Sequence, residues 1–183
     1  MIVVYGTSSS GKSQVAEDIA TGLGKDKSLF YVATMERRSA ASKDRIKRHR
    51  AMRQGKGFVT IEEELDLKKI ISKVSGGVVL LECVSNYVAN ILFGQYGENI
   101  LREDELEALA ESIAEDVSLL DEVCELVVVT NDLFKNYYST DSWVDGYMRL
   151  LARVNILLAK QATTFIEVEM GICNFIKGEK SWQ

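Results

Sequence analysis

The sequence has very little histidine, cysteine or proline. Its 183 residues include one histidine (His49), three cysteines and no proline. The cysteines are widely spaced and odd in number, which excludes the ligand spacing of a zinc site. We therefore expect reduced thiols and a cytoplasmic protein. The single histidine leaves one candidate for any chemistry that needs an imidazole.

Long apolar runs and an excess of positive charge are also missing. No apolar run approaches the length that spans a bilayer, so we expect no membrane span. The first residues read as a strand that enters a glycine-rich loop, so we expect no signal peptide. The net charge of −5 argues against nucleic-acid binding by bulk electrostatics. The length suits a single domain over residues 1–183.

A complete phosphate-binding loop stands near the N-terminus, between the apolar run Ile2–Tyr5 and a helical pattern from Gln14 to Leu23. Its pattern is glycine, four residues, glycine, lysine and serine, in the strand–loop–helix context of a P-loop. The loop would cradle phosphates with backbone N–H groups, Lys12 would reach the β- and γ-phosphates, and Ser13 would bind Mg²⁺. The predicted nucleotide-binding residues here are Gly6, Thr7, Ser8, Ser9, Ser10, Gly11, Lys12 and Ser13.

The rest of the chain alternates apolar strands with helical patterns, which predicts an α/β fold with a mostly parallel sheet flanked by helices. The predicted later strands begin at Leu29, Phe58, Val78, Leu126 and Phe165, and residues 173–176 are expected to return antiparallel as a C-terminal hairpin. Glu82 ends an apolar strand, where a P-loop protein places the acid that holds Mg²⁺. Asn131 ends another, at the edge where ligands bind in open sheets.

A basic block runs from Arg37 to Lys56, with nine Lys or Arg residues and one acid. Arg45, His49 and Arg53 are spaced by four and would share one face of a helix. A solvated positive face is the ordinary interpretation of such a run. The alternative is contact with a phosphate-rich substrate. The block lacks interleaved aromatic residues, which makes stacking on single-stranded nucleic acid the weaker interpretation.

Several further segments are more specific than the P-loop. They are Tyr31-Val32-Ala33-Thr34, the run Arg45–Arg50 with Arg53, Phe58–Glu62, Leu80-Leu81-Glu82-Cys83, Asn90–Phe93, Val129-Thr130-Asn131 and Arg153-Val154-Asn155. With these segments the chain resembles, nearly end to end, the bifunctional adenosylcobinamide kinase / adenosylcobinamide-phosphate guanylyltransferase family of cobalamin biosynthesis. The resemblance implies a RecA-like fold and a homotrimer.

The resemblance also implies a chemistry. A member of the family phosphorylates the aminopropanol hydroxyl of adenosylcobinamide and then transfers GMP from GTP to that phosphate through a guanylylated histidine. His49 stands at the place of that nucleophile, with Lys12 as the second catalytic residue and Arg45 and Arg53 near the phosphates. The remaining implied nucleotide-binding residues are Thr34, Glu62, Glu82 and Asn131. The implied ligands are Mg²⁺ on Ser13 and Glu82, GTP or ATP, and a corrinoid.

Two segments depart from the family pattern. The family usually has a glycine-rich stretch ending in Ile-Val-Pro where this chain has Asp132–Tyr138, with neither glycine nor proline. Its Gly-Arg-Val-Asn-Gln is replaced by Ala152–Ile156. These changes predict altered substrate binding: either a protein that keeps nucleotide binding and guanylylation with a changed corrinoid specificity, or one that has lost one of the two activities.

Two other classes of function stay open at the level of the sequence. A different small-molecule P-loop kinase would need Lys12, Ser13 and Glu82 but not His49. A nucleotide-regulated RecA-like module that uses its basic block on nucleic acid would show salt-sensitive binding.

Overall fold

The computed structural model describes residues 1–35, 53, 55–97, 99, 101–134 and 141–180. All strands in this part of the chain belong to one seven-stranded sheet with the order β3-β2-β4-β5-β1-β6-β7. The strands are β1 (Ile2–Gly6), β2 (Leu29–Ala33), β3 (Phe58–Glu62), β4 (Val78–Glu82), β5 (Glu125–Asn131), β6 (Thr164–Glu169) and β7 (Ile172–Lys177).

The sheet is parallel except at one edge. Each neighbouring pair from β3 to β6 is parallel, whereas β6 and β7 pair antiparallel. The expected C-terminal hairpin and the mostly parallel α/β fold are confirmed.

Helices connect these strands and cover the sheet. They are α1 (Lys12–Leu23), α2 (Ile71–Val74, preceded by a 3₁₀ turn at Leu67–Ile70), α3 (Val84–Tyr96), α4 (Glu103–Asp121) and α5 (Ser142–Gln161). None of the helices within the described ranges is long and apolar enough to cross a membrane.

Two apolar clusters lie on the two faces of the sheet. On one face, Ala16 and Ile19 of α1 pack with alternate residues of the central strands, including Val4. On the other face, the intervening strand residues, including Val3, pack against α3, α4 and α5. Because both faces are covered, the central strands are continuous apolar runs, and all five residues of β4 are buried.

Two glycines stand near the end of α3, which continues past Gly94 to Tyr96. The space beside Gly94 is nearly open, with a Leu65 side-chain carbon 3.8 Å from an added Cβ, so a helical glycine is tolerated there. The helix ends at Gly97, whose positive φ of 55° favours a residue without a side chain.

Candidate functional site

The P-loop connects the end of β1 to the start of α1 through a turn that requires glycine. Gly11 has a φ of 93°, and an added Cβ there would lie 3.2 Å from Cα of Gly171. At Gly6 an added Cβ would lie 2.5 Å from the carbonyl oxygen of Val168. The first turn of α1 begins where this loop ends, so the N–H groups of that turn lie at the loop.

Hydrogen bonds within the loop and from the neighbouring β6–β7 hairpin hold the loop in place. Nζ of Lys12, a buried residue, donates to the carbonyl oxygen of Thr7 at 2.9 Å. The N–H of Gly171, in the turn between β6 and β7, donates to the carbonyl oxygen of Ser10 at 2.8 Å. The Ser10 hydroxyl is buried and has no hydrogen-bond partner among the described residues.

The strand registers align the predicted site residues along one edge of the sheet. Gly6 pairs with Asn131, and Ala33 pairs with Glu62 on one side and Glu82 on the other. Parallel strands place their carboxyl ends at the same edge. The structure thus brings the P-loop, Glu62, Glu82 and Asn131 to one side of the molecule. Whether each contacts nucleotide stays a prediction.

Glu82 is buried, and each of its two carboxylate oxygens accepts a hydrogen bond from a different element. The hydroxyl of Ser13 donates to Oε1 at 2.5 Å, and the hydroxyl of Tyr31 donates to Oε2 at 3.0 Å. Burial, and then the Glu82 carboxylate, raise the pKa of Tyr31 well above its ordinary value. The phenol therefore stays a donor at neutral pH. The serine hydroxyl and the carboxylate beside it are the kind of oxygen ligands that Mg²⁺ binds.

Thr34 follows β2 and is fully buried. Its Oγ1 accepts from the N–H of Cys83 at 2.9 Å and donates to the carbonyl oxygen of Cys83 at 2.8 Å. The amide of Asn90 donates to the carbonyl oxygens of Thr34 at 2.7 Å and Glu64 at 3.0 Å. These bonds tie the end of β2 to the residue after Glu82.

Asn131 lies on a second polar connection. Its side-chain amide donates to the hydroxyl of Ser85, and the hydroxyl of Tyr147 donates to the carbonyl oxygen of Ser85 at 3.2 Å. The hydroxyl of Thr130 donates to Oδ1 of Asn155 at 2.7 Å. Helix α5 is thereby joined to the first turn of α3 and to the end of β5.

Arg53 is buried beside Glu82. Its NH1 lies 3.9 Å from Oε2 of Glu82 and 3.8 Å from Oε1 of Glu17. Nζ of Lys56 lies 2.6 Å from Oε2 of Glu17. The other two predicted members of this face, Arg45 and His49, lie outside the described residues.

Sequence reasoning missed several residues that shape this edge. Glu17, Lys56 and Ser85 were not proposed for the site. The structure shows that Glu17 is buried on α1 next to Ala16, where an acid needs a partner. The partner could not be found from spacing, because Lys56 is distant in sequence.

The fold and this edge define a P-loop nucleotide-binding protein of the RecA-like type. An ATPase of the type III secretion system of pathogenic bacteria superposes with a TM-score of 0.51 at 12% identity, over 95% of this chain and 56% of its own. The chain thus spans just over half of that solved protein. A Pyrococcus horikoshii OT3 protein gives 0.55 at 8% identity, over 98% and 87%. At such identities the likeness shows the fold alone.

Sequence comparison narrows the class to one family. Residues 2–176 match the model described as cobinamide kinase / cobinamide phosphate guanyltransferase, and the chain belongs to this family. The bifunctional adenosylcobalamin biosynthesis protein CobU of Escherichia coli K12 is 30% identical over 179 residues, covering 94% of this chain and 97% of its own. Its counterpart of the same name in Salmonella typhimurium LT2 is 28% identical with the same coverage.

Family membership confirms the resemblance seen in the sequence. The chain is an enzyme of a kinase and nucleotidyltransferase family of cobalamin biosynthesis. The roles of single residues, the metal, the guanylyl-histidine and the trimer stay predictions.

Proposed function

We propose that this protein phosphorylates the aminopropanol hydroxyl of adenosylcobinamide and transfers GMP from GTP to the resulting phosphate through His49. The observation that carries the proposal is the contact of Ser13 with Glu82 at the mouth of a complete P-loop, in a chain of this family. Ser13 and Glu82 supply the pair of oxygen ligands with which P-loop enzymes hold Mg²⁺.

The P-loop residues 6–13 bind the triphosphate in this proposal. Backbone N–H groups and the start of α1 face the phosphates, and Lys12 exchanges the carbonyl of Thr7 for phosphate oxygens. Ser13 and Glu82 would hold Mg²⁺. Bound there, Mg²⁺ would neutralise charge on the phosphate oxygens. Thr34, Glu62 and Asn131 complete the nucleotide site along the same edge.

His49 divides the transfer of GMP into two displacements. Its neutral imidazole nitrogen attacks the α-phosphorus of GTP, the bond to the bridging oxygen breaks, and pyrophosphate leaves. The phosphate oxygen of the acceptor then attacks the same phosphorus, and the nitrogen–phosphorus bond breaks to restore His49. Arg45 and Arg53 stabilise the charge that develops on the phosphate oxygens.

The remaining parts of the proposal concern the whole protein. The chain forms a single domain over residues 1–183 and acts as a homotrimer in the cytoplasm. Three free thiols, Cys83, Cys124 and Cys173, are consistent with a reducing compartment. The segment Asp132–Tyr138, which departs from the family pattern, alters the choice of corrinoid.

Product analysis of the two half-reactions tests the proposal. Wild-type protein with adenosylcobinamide, ATP, GTP and Mg²⁺ should yield first the phosphate and then the GDP derivative. The His49→Ala variant should accumulate the phosphate and form at least 100-fold less of the GDP derivative. A variant that still makes the GDP derivative at the wild-type rate would exclude His49. A wild type that makes only the phosphate would leave a plain kinase.

A further inference from the structure

Ser85 is a buried polar residue to which the proposed mechanism gives no role. It lies in the first turn of α3, just after the end of β4, and it is only 3% exposed. Serine hydroxyls near the start of a helix often bond to the backbone of that helix. Among the described residues, the hydroxyl of Ser85 makes no such bond. A buried hydroxyl needs a partner, and this one finds its partners outside the helical ladder.

The hydroxyl of Ser85 joins Cys83 to Asn131. Its oxygen lies 3.0 Å from Sγ of Cys83, and it accepts a hydrogen bond from the side-chain amide of Asn131. Nδ2 of Asn131 also lies 3.7 Å from Sγ of Cys83. A thiol sulfur is a weak acceptor, so the serine oxygen is the stronger of the two partners of this amide.

Two other elements hold the backbone around Ser85 in place. The hydroxyl of Tyr147 on α5 donates to the carbonyl oxygen of Ser85 at 3.2 Å. At the end of β2, Oγ1 of Thr34 accepts from the N–H of Cys83 at 2.9 Å and donates to its carbonyl oxygen at 2.8 Å. Ser85 is therefore fixed by elements other than β5, the strand that carries Asn131.

Asn131 is the residue whose orientation depends on this contact. It is the last residue of β5 and pairs with Gly6, the first glycine of the P-loop. The terminal torsion of an asparagine is broad and roughly two-fold, so an unrestrained amide can present either its oxygen or its amino group to a ligand. The hydrogen bond to Ser85 selects one of these two orientations.

We propose that Ser85 is a positioning residue that orients the amide of Asn131 for nucleotide binding. The inference rests on the proposed function, which places Asn131 in the nucleotide site. Ser85 accepts one amide hydrogen and makes no contact with the nucleotide itself. The orientation is set before the nucleotide arrives, so binding does not have to order this side chain.

The first measurement is the affinity of the full-length protein for a fluorescent GTP analogue. Ser85→Ala removes the hydroxyl and leaves the amide of Asn131 with the weak sulfur acceptor alone. The dissociation constant should rise about fivefold, which is the effect of losing one hydrogen bond. Asn131→Ala removes the amide itself and should raise the dissociation constant about tenfold.

A double-variant cycle shows whether Ser85 acts through Asn131. In the Asn131→Ala background, adding Ser85→Ala should raise the dissociation constant by less than twofold, because the hydroxyl has no amide left to orient. A Ser85 that supports the site in another, merely structural way would act independently. The double variant would then show the product of the two single effects, about fiftyfold.

Two controls match the loss of the serine hydroxyl. Tyr147→Phe removes the hydrogen bond to the carbonyl oxygen of Ser85 but keeps the contact with the amide. Ser118→Ala removes a serine hydroxyl on α4 that bonds to Ala114 and Gln161. Both variants should bind the analogue within twofold of wild type. Urea denaturation should give every variant a cooperative unfolding transition.

Three results would overturn the inference. They are wild-type affinity in Ser85→Ala, a fivefold loss of affinity in Tyr147→Phe as well, and a double variant at the product of the single effects. Failure of the proposed nucleotide contact gives a different pattern, because Asn131→Ala would then bind the analogue as tightly as wild type. That result would overturn the predicted role of Asn131 and the inference together.

Discussion

Glu82 shows how one buried residue can accept hydrogen bonds from two different elements. Each oxygen accepts a hydroxyl hydrogen bond, from Ser13 and from Tyr31. Hydrogen bonds to a carboxylate favour its ionised form, which is the form that a metal requires. The phenol of Tyr31 is the less obvious partner, because it lies on a different strand and presents only one polar atom.

The pKa of Tyr31 leads to a prediction about alkaline stability. Burial is the largest cause of its rise, followed by Glu82. Its folded-state pKa exceeds the unfolded value near 10, so the folded chain holds this proton more tightly. The stability linked to that proton is complete below about pH 10 and is lost as pH rises toward the folded pKa.

Replacing Tyr31 by phenylalanine should therefore make the free energy of unfolding decrease less steeply with pH in the alkaline range. Above about pH 10, the free energy of unfolding of the variant should fall less steeply than that of wild type, by about 1.4 kcal/mol per pH unit. Urea denaturation at pH 8 to 11 measures both slopes. Tyr96→Phe is the control on the end of α3, and equal slopes in Tyr31→Phe and wild type would contradict the assignment.

Among the elements, the P-loop and the β6–β7 turn form one unit. The Gly171 N–H bonds to Ser10, and the Cα of Gly171 limits the space at Gly11. The loop therefore depends on a turn that lies far away in sequence. The phosphate-binding motif could be predicted from its own residues, but this brace could not, because nothing in the motif specifies what packs behind it.

Alanine at Gly11 should damage nucleotide binding. The substitution places a side chain at a φ of 93° and 3.2 Å from Gly171, which strains the loop by about 1–3 kcal/mol. We expect at least tenfold weaker binding of GTP by fluorescence titration. Binding at the wild-type affinity would show that the loop tolerates the side chain.

Gly146→Ala is the matched control for that experiment. Gly146 lies inside α5 with nothing within 4 Å of an added Cβ. Alanine there should raise the free energy of unfolding by about 0.5–1 kcal/mol and leave GTP binding unchanged. The two substitutions add the same methyl group, so a loss of GTP binding in Gly11→Ala alone comes from the position of Gly11 in the loop and not from the added methyl group as such.

At the scale of the molecule, the sequence predicted much of the fold for a physical reason. Strands buried on both faces must be continuous apolar runs, so Val78–Glu82 and Leu126–Thr130 were visible without a structure. The buried ion pairs of Glu17 could not be predicted from the sequence, because they depend on the order of β3, β2 and β4 in the sheet.

The outermost strand β7 is relevant to the proposed assembly of the protein into oligomers. Every residue of strand β7 is exposed, and Ile172 and Ile176 are apolar residues there. Exposed edge strands with apolar residues favour association but do not set the number of copies, so the homotrimer stays a prediction from the family resemblance. Native mass spectrometry should give three times the chain mass. A monomer at the concentrations used for activity would contradict the trimer.

The central claim is that His49 carries GMP, and intact-mass analysis after incubation with GTP and Mg²⁺ tests it most directly. The account predicts that wild-type protein gains the mass of one guanylyl group, that His49→Ala gains none, and that the bond is labile to acid but stable to base. No gain in mass from wild-type protein that binds GTP would contradict the account and leave a kinase alone.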